Sequence, residues 1–176
     1  GTYVLAYAED QGYHPDAFLA VPEGPSRLGF EVQRRWAIDQ EDFERKRYPN
    51  PMIRKTRKGI GPVEEREVLS LKMGSHIVLL EDTATTGTSL VREVDRLREL
   101  GYALDAVVVL TDRGLKRHVD GKTVEDLVRE RDIPYHAMCN AYDLLDLAFR
   151  RDYPGRDRVR RIQNHYKKRG IHPLVF

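Results

Sequence analysis

Apolar positions recur along this chain in two spacings, and the two alternate. Residues 16–21 (DAFLAV) are a short apolar run closed by Pro22-Glu23-Gly24-Pro25, which predicts a buried strand and a turn-rich loop. Leu28, Val32 and Trp36 follow at helical spacing, with Arg34 and Arg35 on the other face. Pro49-Asn50-Pro51 breaks the chain before a brief Met52-Ile53 strand. Residues 54–72 have little periodicity and are expected to form a long loop or hairpin, a kind of segment that is usually functional or mobile. Gly74-Ser75 then turns into a buried strand over residues 76–81. Leu90, Val91, Val94, Leu97 and Leu100 mark one face of an amphipathic helix, and Gly101 stands where a C-terminal cap glycine belongs. Residues 106–110 are continuously apolar, as in a strand covered on both faces. Val124, Leu127 and Val128 outline a further helix, residues 133–138 a last strand and residues 143–150 a last helix. Alternation of this kind predicts an α/β domain: a single doubly wound, mainly parallel sheet flanked by helices over residues 1–150. A basic C-terminal extension is expected over residues 151–176.

Composition narrows the class. Apolar residues make 40% of the 176 and charged residues 33%, as in a folded, soluble chain rather than a disordered one. The longest aliphatic runs, residues 77–80 and 107–110, are four residues long and too short to cross a bilayer. No basic-then-apolar leader is present, and the one cysteine, Cys139, has no internal partner; both point to the reducing cytoplasm. Cys139 is expected to be a small buried hydrophobe at a strand end. The net charge of +2 says little, but its distribution is uneven. Residues 54–58 hold four cations, and residues 150–169 hold nine against only Asp152 and Asp157. Such clusters imply either an anionic partner or a solvated surface. The six histidines show no metal-ligand spacing, so no metal held directly by the protein is expected.

The stretch with the most chemistry is Ile77-Val78-Leu79-Leu80-Glu81-Asp82-Thr83-Ala84-Thr85-Thr86-Gly87-Thr88-Ser89. A buried strand delivers two adjacent carboxylates to its C-terminal end, where open α/β sheets bind ligands. A hydroxyl-rich loop follows and opens a helix, whose N–H groups and positive end suit a phosphate. Hydroxyls of Thr85, Thr86, Thr88 and Ser89 can donate to further phosphate oxygens, and Gly87 lets the backbone approach closely. Glu81 and Asp82 would repel a phosphate, so they must face hydroxyls, a metal or developing positive charge. A sugar phosphate satisfies both halves. Two acids at the end of an apolar strand are costly to place without a role.

This stretch resembles the signature that binds phosphoribosyl pyrophosphate (PRPP) in type I phosphoribosyltransferases, and every position of the pattern from Ile77 to Ser89 is filled. Three further segments look like those of orotate phosphoribosyltransferases. Arg54, Lys55 and Lys58 match the cations of a catalytic loop that binds pyrophosphate, partly across a dimer interface. Arg113, in Thr111-Asp112-Arg113, matches the arginine that holds the orotate carboxylate, and Thr85 the threonine that also touches the base. Residues 21–27 are similar to the pyrophosphate loop. The likeness has gaps: Ile60 replaces a polar residue of the loop, Arg27 or Leu28 replaces a lysine, and the N-terminal hood over the base is reduced.

The resemblance implies transfer of phosphoribose from Mg²⁺-bound PRPP to a nucleobase, with orotate giving orotidine monophosphate and pyrophosphate in pyrimidine biosynthesis. Glu81 and Asp82 would orient the ribose, Lys55 and Lys58 with Arg54 would neutralise pyrophosphate, and residues 83–89 would hold the 5-phosphate. A homodimer is expected, with Mg²⁺ carried by PRPP. Two other readings remain open. One is a purine-salvage transferase sharing the cradle. The other is a non-catalytic PRPP sensor, whose basic tail, with Tyr153 and Tyr166 among its cations, would contact nucleic acid.

Overall fold

A computed structural model describes residues 1–43, 48, 50–60, 66–151 and 155–175. Part of the expected 54–72 loop (residues 61–65) and Asp152 and Tyr153 of the basic segment lie outside them. The elements run α1 (Thr2–Asp10), β1 (Ala17–Ala20), α2 (Ser26–Ile38), β2 (Met52–Ile53), β3 (Val68–Leu69) and β4 (His76–Ala84). They continue as α3 (Thr88–Glu99), β5 (Ala103–Asp112), α4 (Val124–Arg129), β6 (Tyr135–Asn140), α5 (Ala141–Arg150) and α6 (Arg156–Arg169). The four apolar runs expected to be buried strands form one sheet in the order β1-β4-β5-β6, parallel at every pairing.

Side chains alternate across a strand, so a run apolar at every position must be covered twice. Val78, Leu80, Ala106 and Val108 pack with Val4, Leu5 and Ala8 of α1 and Val32 of α2. Ile77, Leu79, Val107 and Val109 face the other way, onto Leu90, Val94 and Leu97 of α3 and Val124 and Val128 of α4. Burying each such side chain stabilises the fold by about 1.5–3 kcal/mol. On the β1 edge the amide of Phe18 donates to Oε1 of Gln33 at 2.8 Å, so a buried side chain of α2 takes the place of a neighbouring strand. Gly29 is required where α2 crosses β1, because a Cβ there would sit 2.6 Å from that of Ala20.

Four features add to the expected elements. A helix, α1, precedes the first strand. Strand β4 runs three residues past Glu81, because Thr83 and Ala84 still pair with Thr111 and Asp112. The 54–72 segment is pinned at its ends by the antiparallel pair β2–β3, with Met52 opposite Leu69 and Ile53 opposite Val68. Residues 156–174 are docked on the rest of the fold: Tyr166 and Leu174 are buried with Leu115 and Ala141, and the Tyr166 hydroxyl donates to the Arg113 carbonyl at 2.9 Å. Cys139 is half-buried in β6 and its thiol donates to the Leu110 carbonyl at 2.9 Å. Among the described residues no helix is long and apolar enough to cross a membrane.

Candidate active site: a phosphate cradle with two carboxylates

The C-terminal end of β4 and the start of α3 enclose an open cavity of about 310 Å³. Every residue from 81 to 90 lines it, and Val21, Pro22, Gly24 and Pro25 form the facing wall. All nine residues expected to hold the sugar phosphate, 81–89, are thus brought together. Gly87 is left-handed, with φ 70°, and its carbonyl accepts from the Val91 amide at 2.8 Å as α3 begins. No side chain caps that helix, which leaves its first N–H groups to an anion. The hydroxyls of Thr86 and Thr88 lie 3.3 Å apart across the turn.

The two acids differ in their surroundings. Glu81 is only 9% exposed. Burial, then its hydrogen bond with Asp82 and the charge of that neighbour, push its carboxyl up to about 7. Asp82 is half-buried, and its Oδ1 accepts from the Thr83 amide at 2.6 Å. Its other oxygen faces Gly24, where an added Cβ would lie 3.2 Å from Oδ2. A glycine there lets the 22–25 loop close against the carboxylate. The cavity therefore has a hydroxyl-and-amide end for phosphate and a carboxylate end for hydroxyls or positive charge.

The comparisons with known proteins agree with that geometry. The orotate phosphoribosyltransferase of a Nostoc species is 44% identical over 71 residues, 40% of this chain and 34% of that protein. That of Natronomonas pharaonis is 34% identical over 97 residues, 55% of this chain and 51% of the relative. A crystal structure of the Francisella tularensis orotate phosphoribosyltransferase superposes with a TM-score of 0.67 at 16% identity, covering 96% of this chain and 77% of that one. The chain has the type I phosphoribosyltransferase fold. No protein-family profile matches it. It spans between a third and about half the length of the curated relatives it matches. The resemblance drawn from residues 77–89 is borne out.

Within this phosphoribosyltransferase fold the loop cations stand at the rim. Lys55 Nζ pairs with Glu23 Oε1 at 3.0 Å, both side chains being mostly exposed, which sets Lys55 beside the 22–25 wall. The amides of Arg54 and Lys58 donate to the carbonyls of Glu67 and Arg66, at 2.8 and 2.9 Å. Neither Arg54 nor Lys58 lines the cavity. Ile60 is 82% exposed and offers pyrophosphate no donor. Arg113 adjoins the cradle through its backbone, its amide donating to the Ala84 carbonyl at 2.9 Å. Arg113 lines a second cavity against α5 and α6, however, so Thr85 and Arg113 do not share one cavity.

Two contacts escaped the sequence reading. Glu23 positions Lys55, and nothing in the linear pattern pairs residues so far apart. Arg96 anchors the hairpin: its guanidinium donates to Glu67 Oε2 at 2.8 Å, to the Arg54 carbonyl at 2.8 Å and to Glu93 Oε2 at 3.1 Å. Glu93 is 1% exposed. The signal was present, since an acid at 93 falls on the same helical stripe as Leu90, Val94 and Leu97. Among the described residues no group of three or more His, Cys, Asp or Glu could hold a metal. Glu81 and Asp82 are the carboxylate donors at the cradle.

Proposed function

We propose that the chain is a phosphoribosyltransferase that moves the phosphoribosyl group of PRPP to orotate, as a cytoplasmic homodimer in pyrimidine biosynthesis. One observation carries this reading: a single cavity joins an uncapped helix start and its hydroxyls to two carboxylates. The sequence relatives named above favour orotate as the acceptor.

In this reading the 5-phosphate sits on the N–H groups and hydroxyls of residues 85–89, and the ribose hydroxyls donate to Asp82 and Glu81. The C1′–O bond to pyrophosphate breaks, pyrophosphate keeps the electron pair, and an orotate ring nitrogen forms the new bond to C1′ as its proton passes to solvent. The sugar gains positive charge in the transition state, and Asp82 stabilises it from a fixed position. Lys55, held at the rim by Glu23, faces the departing group as a point charge. Arg54 and Lys58, on the same segment as Lys55, would add to the charge that meets the departing group. Mg²⁺ carried by PRPP would offset the pyrophosphate charge, and Glu81 and Asp82 would be the carboxylates of the cradle available to it.

PRPP with Mg²⁺ should raise the melting temperature of the wild-type chain, and Asp82→Asn should remove that protection. Turnover assays with orotate, uracil, adenine, xanthine and hypoxanthine then identify the acceptor. Loss of one such contact lowers kcat/KM by a factor corresponding to roughly 2.7–4 kcal/mol. Protection by PRPP without turnover of any base would leave a PRPP-binding protein and refute the transferase.

A further inference from the structure

Helices α2 to α5 each pair a cation with an acid one turn away: Arg34 with Glu31, Arg96 with Glu93, Arg129 with Glu125 and Arg150 with Asp146. Helix α6 does not. Arg158, Arg160, Arg161, Lys167, Lys168 and Arg169 are all exposed on it, with Asp157 as its one acid. Among the described residues no ion pair holds any of the six. Helix stability does not account for them. The carbonyl end of a helix attracts cations, which suits Lys167, Lys168 and Arg169 in the last turn. The amide end repels them, yet Arg158, Arg160 and Arg161 lie in the first two turns. Arg158 and Arg161, three residues apart, are also neighbours of like charge, which opposes the helix further.

These cations form rows. Arg160 and Lys167, and likewise Arg161 and Lys168, are seven residues apart and so lie two turns apart on the same lines of the helix. From Arg158 to Arg169 the charge runs about 16 Å, at roughly 1.5 Å per residue. Over that length a nucleic-acid duplex presents roughly ten phosphate charges. Lys116, also exposed, continues the patch past the end of α6, since its amide donates to the Arg169 carbonyl at 2.7 Å. The other side of α6, Ile162 and Tyr166, is packed with Leu115, Ala141 and Leu174, which fixes the rows on the fold. From this unbalanced charge on a docked helix we infer that the outer face of α6 binds the phosphate backbone of a double-stranded nucleic acid. The surface is separate from the cradle, whose lining includes none of its cations, so it stands whichever acceptor the cradle serves. Other partners fit less well. A membrane surface needs an apolar helix side free to enter the lipid, and that side of α6 is packed into the fold. An acidic protein needs apolar or aromatic anchors at the centre of its contact, and a single strand needs rings to stack on. The exposed residues of α6 include no Phe, Tyr or Trp.

The full chain would be titrated into labelled duplexes of about 20 base pairs, longer than the helix, in RNA and in DNA form, with fluorescence anisotropy as the readout. With about five phosphates met, log affinity should fall with log salt at a slope of roughly −4.5, a loss of about 500-fold between 50 and 200 mM. The form bound more tightly, RNA or DNA, names the source of the duplex. The double variant Arg161→Ala/Lys168→Ala changes two exposed side chains and should keep the wild-type melting temperature. It should bind more weakly and flatten the slope by about 2. Arg34→Ala, which removes an exposed but paired cation of α2, should leave the slope as it is. Absence of duplex binding by the wild type at about 50 mM salt would overturn the inference. A wild-type slope in the double variant would also overturn it, as would equal flattening by Arg34→Ala, which marks diffuse attraction to charge. Tighter binding of a single strand, or of anionic phospholipid vesicles, than of either duplex would overturn it in favour of that partner.

Discussion

A carboxyl buried beside a second carboxyl keeps its proton to higher pH than one in water. Glu81 is such a group, raised from 4.5 to about 7, chiefly by burial. Its folded form binds the proton more tightly than its unfolded form does. Its contribution to stability is therefore full below about 4.5 and is lost as pH rises towards 7. Urea unfolding across that window should show the wild type losing more stability than Glu81→Gln; parallel curves would refute the assignment. Gly87 offers a second test. Its φ of 70° and a would-be Cβ 3.0 Å from Val124 Cγ1 make any side chain strained there. Gly87→Ala should cost about 1–2 kcal/mol in denaturant unfolding and weaken ribose 5-phosphate binding. This part of the site was legible because residues 81–89 are contiguous: one strand end, one turn and one helix start place them together whatever the rest of the fold does. Glu23, which holds Lys55, was not, because that pairing exists only once the chain is folded.

Elements were legible where a run was apolar throughout or helically spaced, as in residues 77–80, 107–110 and 90–97. Their ends were not. Strand β4 continues through Asp82 and Thr83, and β5 starts at Ala103, because ladder bonds to a parallel neighbour hold residues whose own side chains give no strand signal. Helix α1 went unassigned because its buried set, Val4, Leu5 and Ala8, spans little more than one turn. The grip of α3 on the β2–β3 pair was legible only in part: an acid at 93 on the apolar stripe marks a buried charge, but not that Arg96 bonds Glu67 and the Arg54 carbonyl as well as buried Glu93. Removing one partner of a buried ion pair strands the other charge. Arg96→Ala should cost about 3–5 kcal/mol on that basis, less whatever Arg92, 3.1 Å from Glu93, restores. It should also release the base of the basic hairpin, read as faster amide exchange at the β2–β3 pair with α4 unchanged. Equal exchange at β2–β3 in variant and wild type would show that Arg96 does not anchor it.

At the scale of the molecule, the segment read as a basic extension enters the packing. A stretch carrying nine cations in residues 150–169 looks like a solvated tail, and its polar face supports that view. The apolar minority decides otherwise. Tyr166 at 4% exposure and Leu174 at 8% close a cluster with Leu115 and Ala141, and an isolated bridge pairs Leu115 with Gly170. A few buried residues among many charges fix a docked helix, because burial of one large side chain contributes about 1.5–3 kcal/mol while an exposed charge contributes little. A chain ending at residue 150 therefore uncovers Leu115 and Ala141 and deprives the Arg113 carbonyl of its hydroxyl donor. Its urea midpoint should fall well below that of the full chain. The slope of the transition should also be smaller, since less surface is exposed on unfolding. Tyr166→Ala should reproduce most of the midpoint shift, with a cost of about 3–5 kcal/mol by analogy with other buried aromatics. If residues 1–150 were instead a self-sufficient unit with an appended tail, the shortened chain would unfold at the same midpoint as the full one.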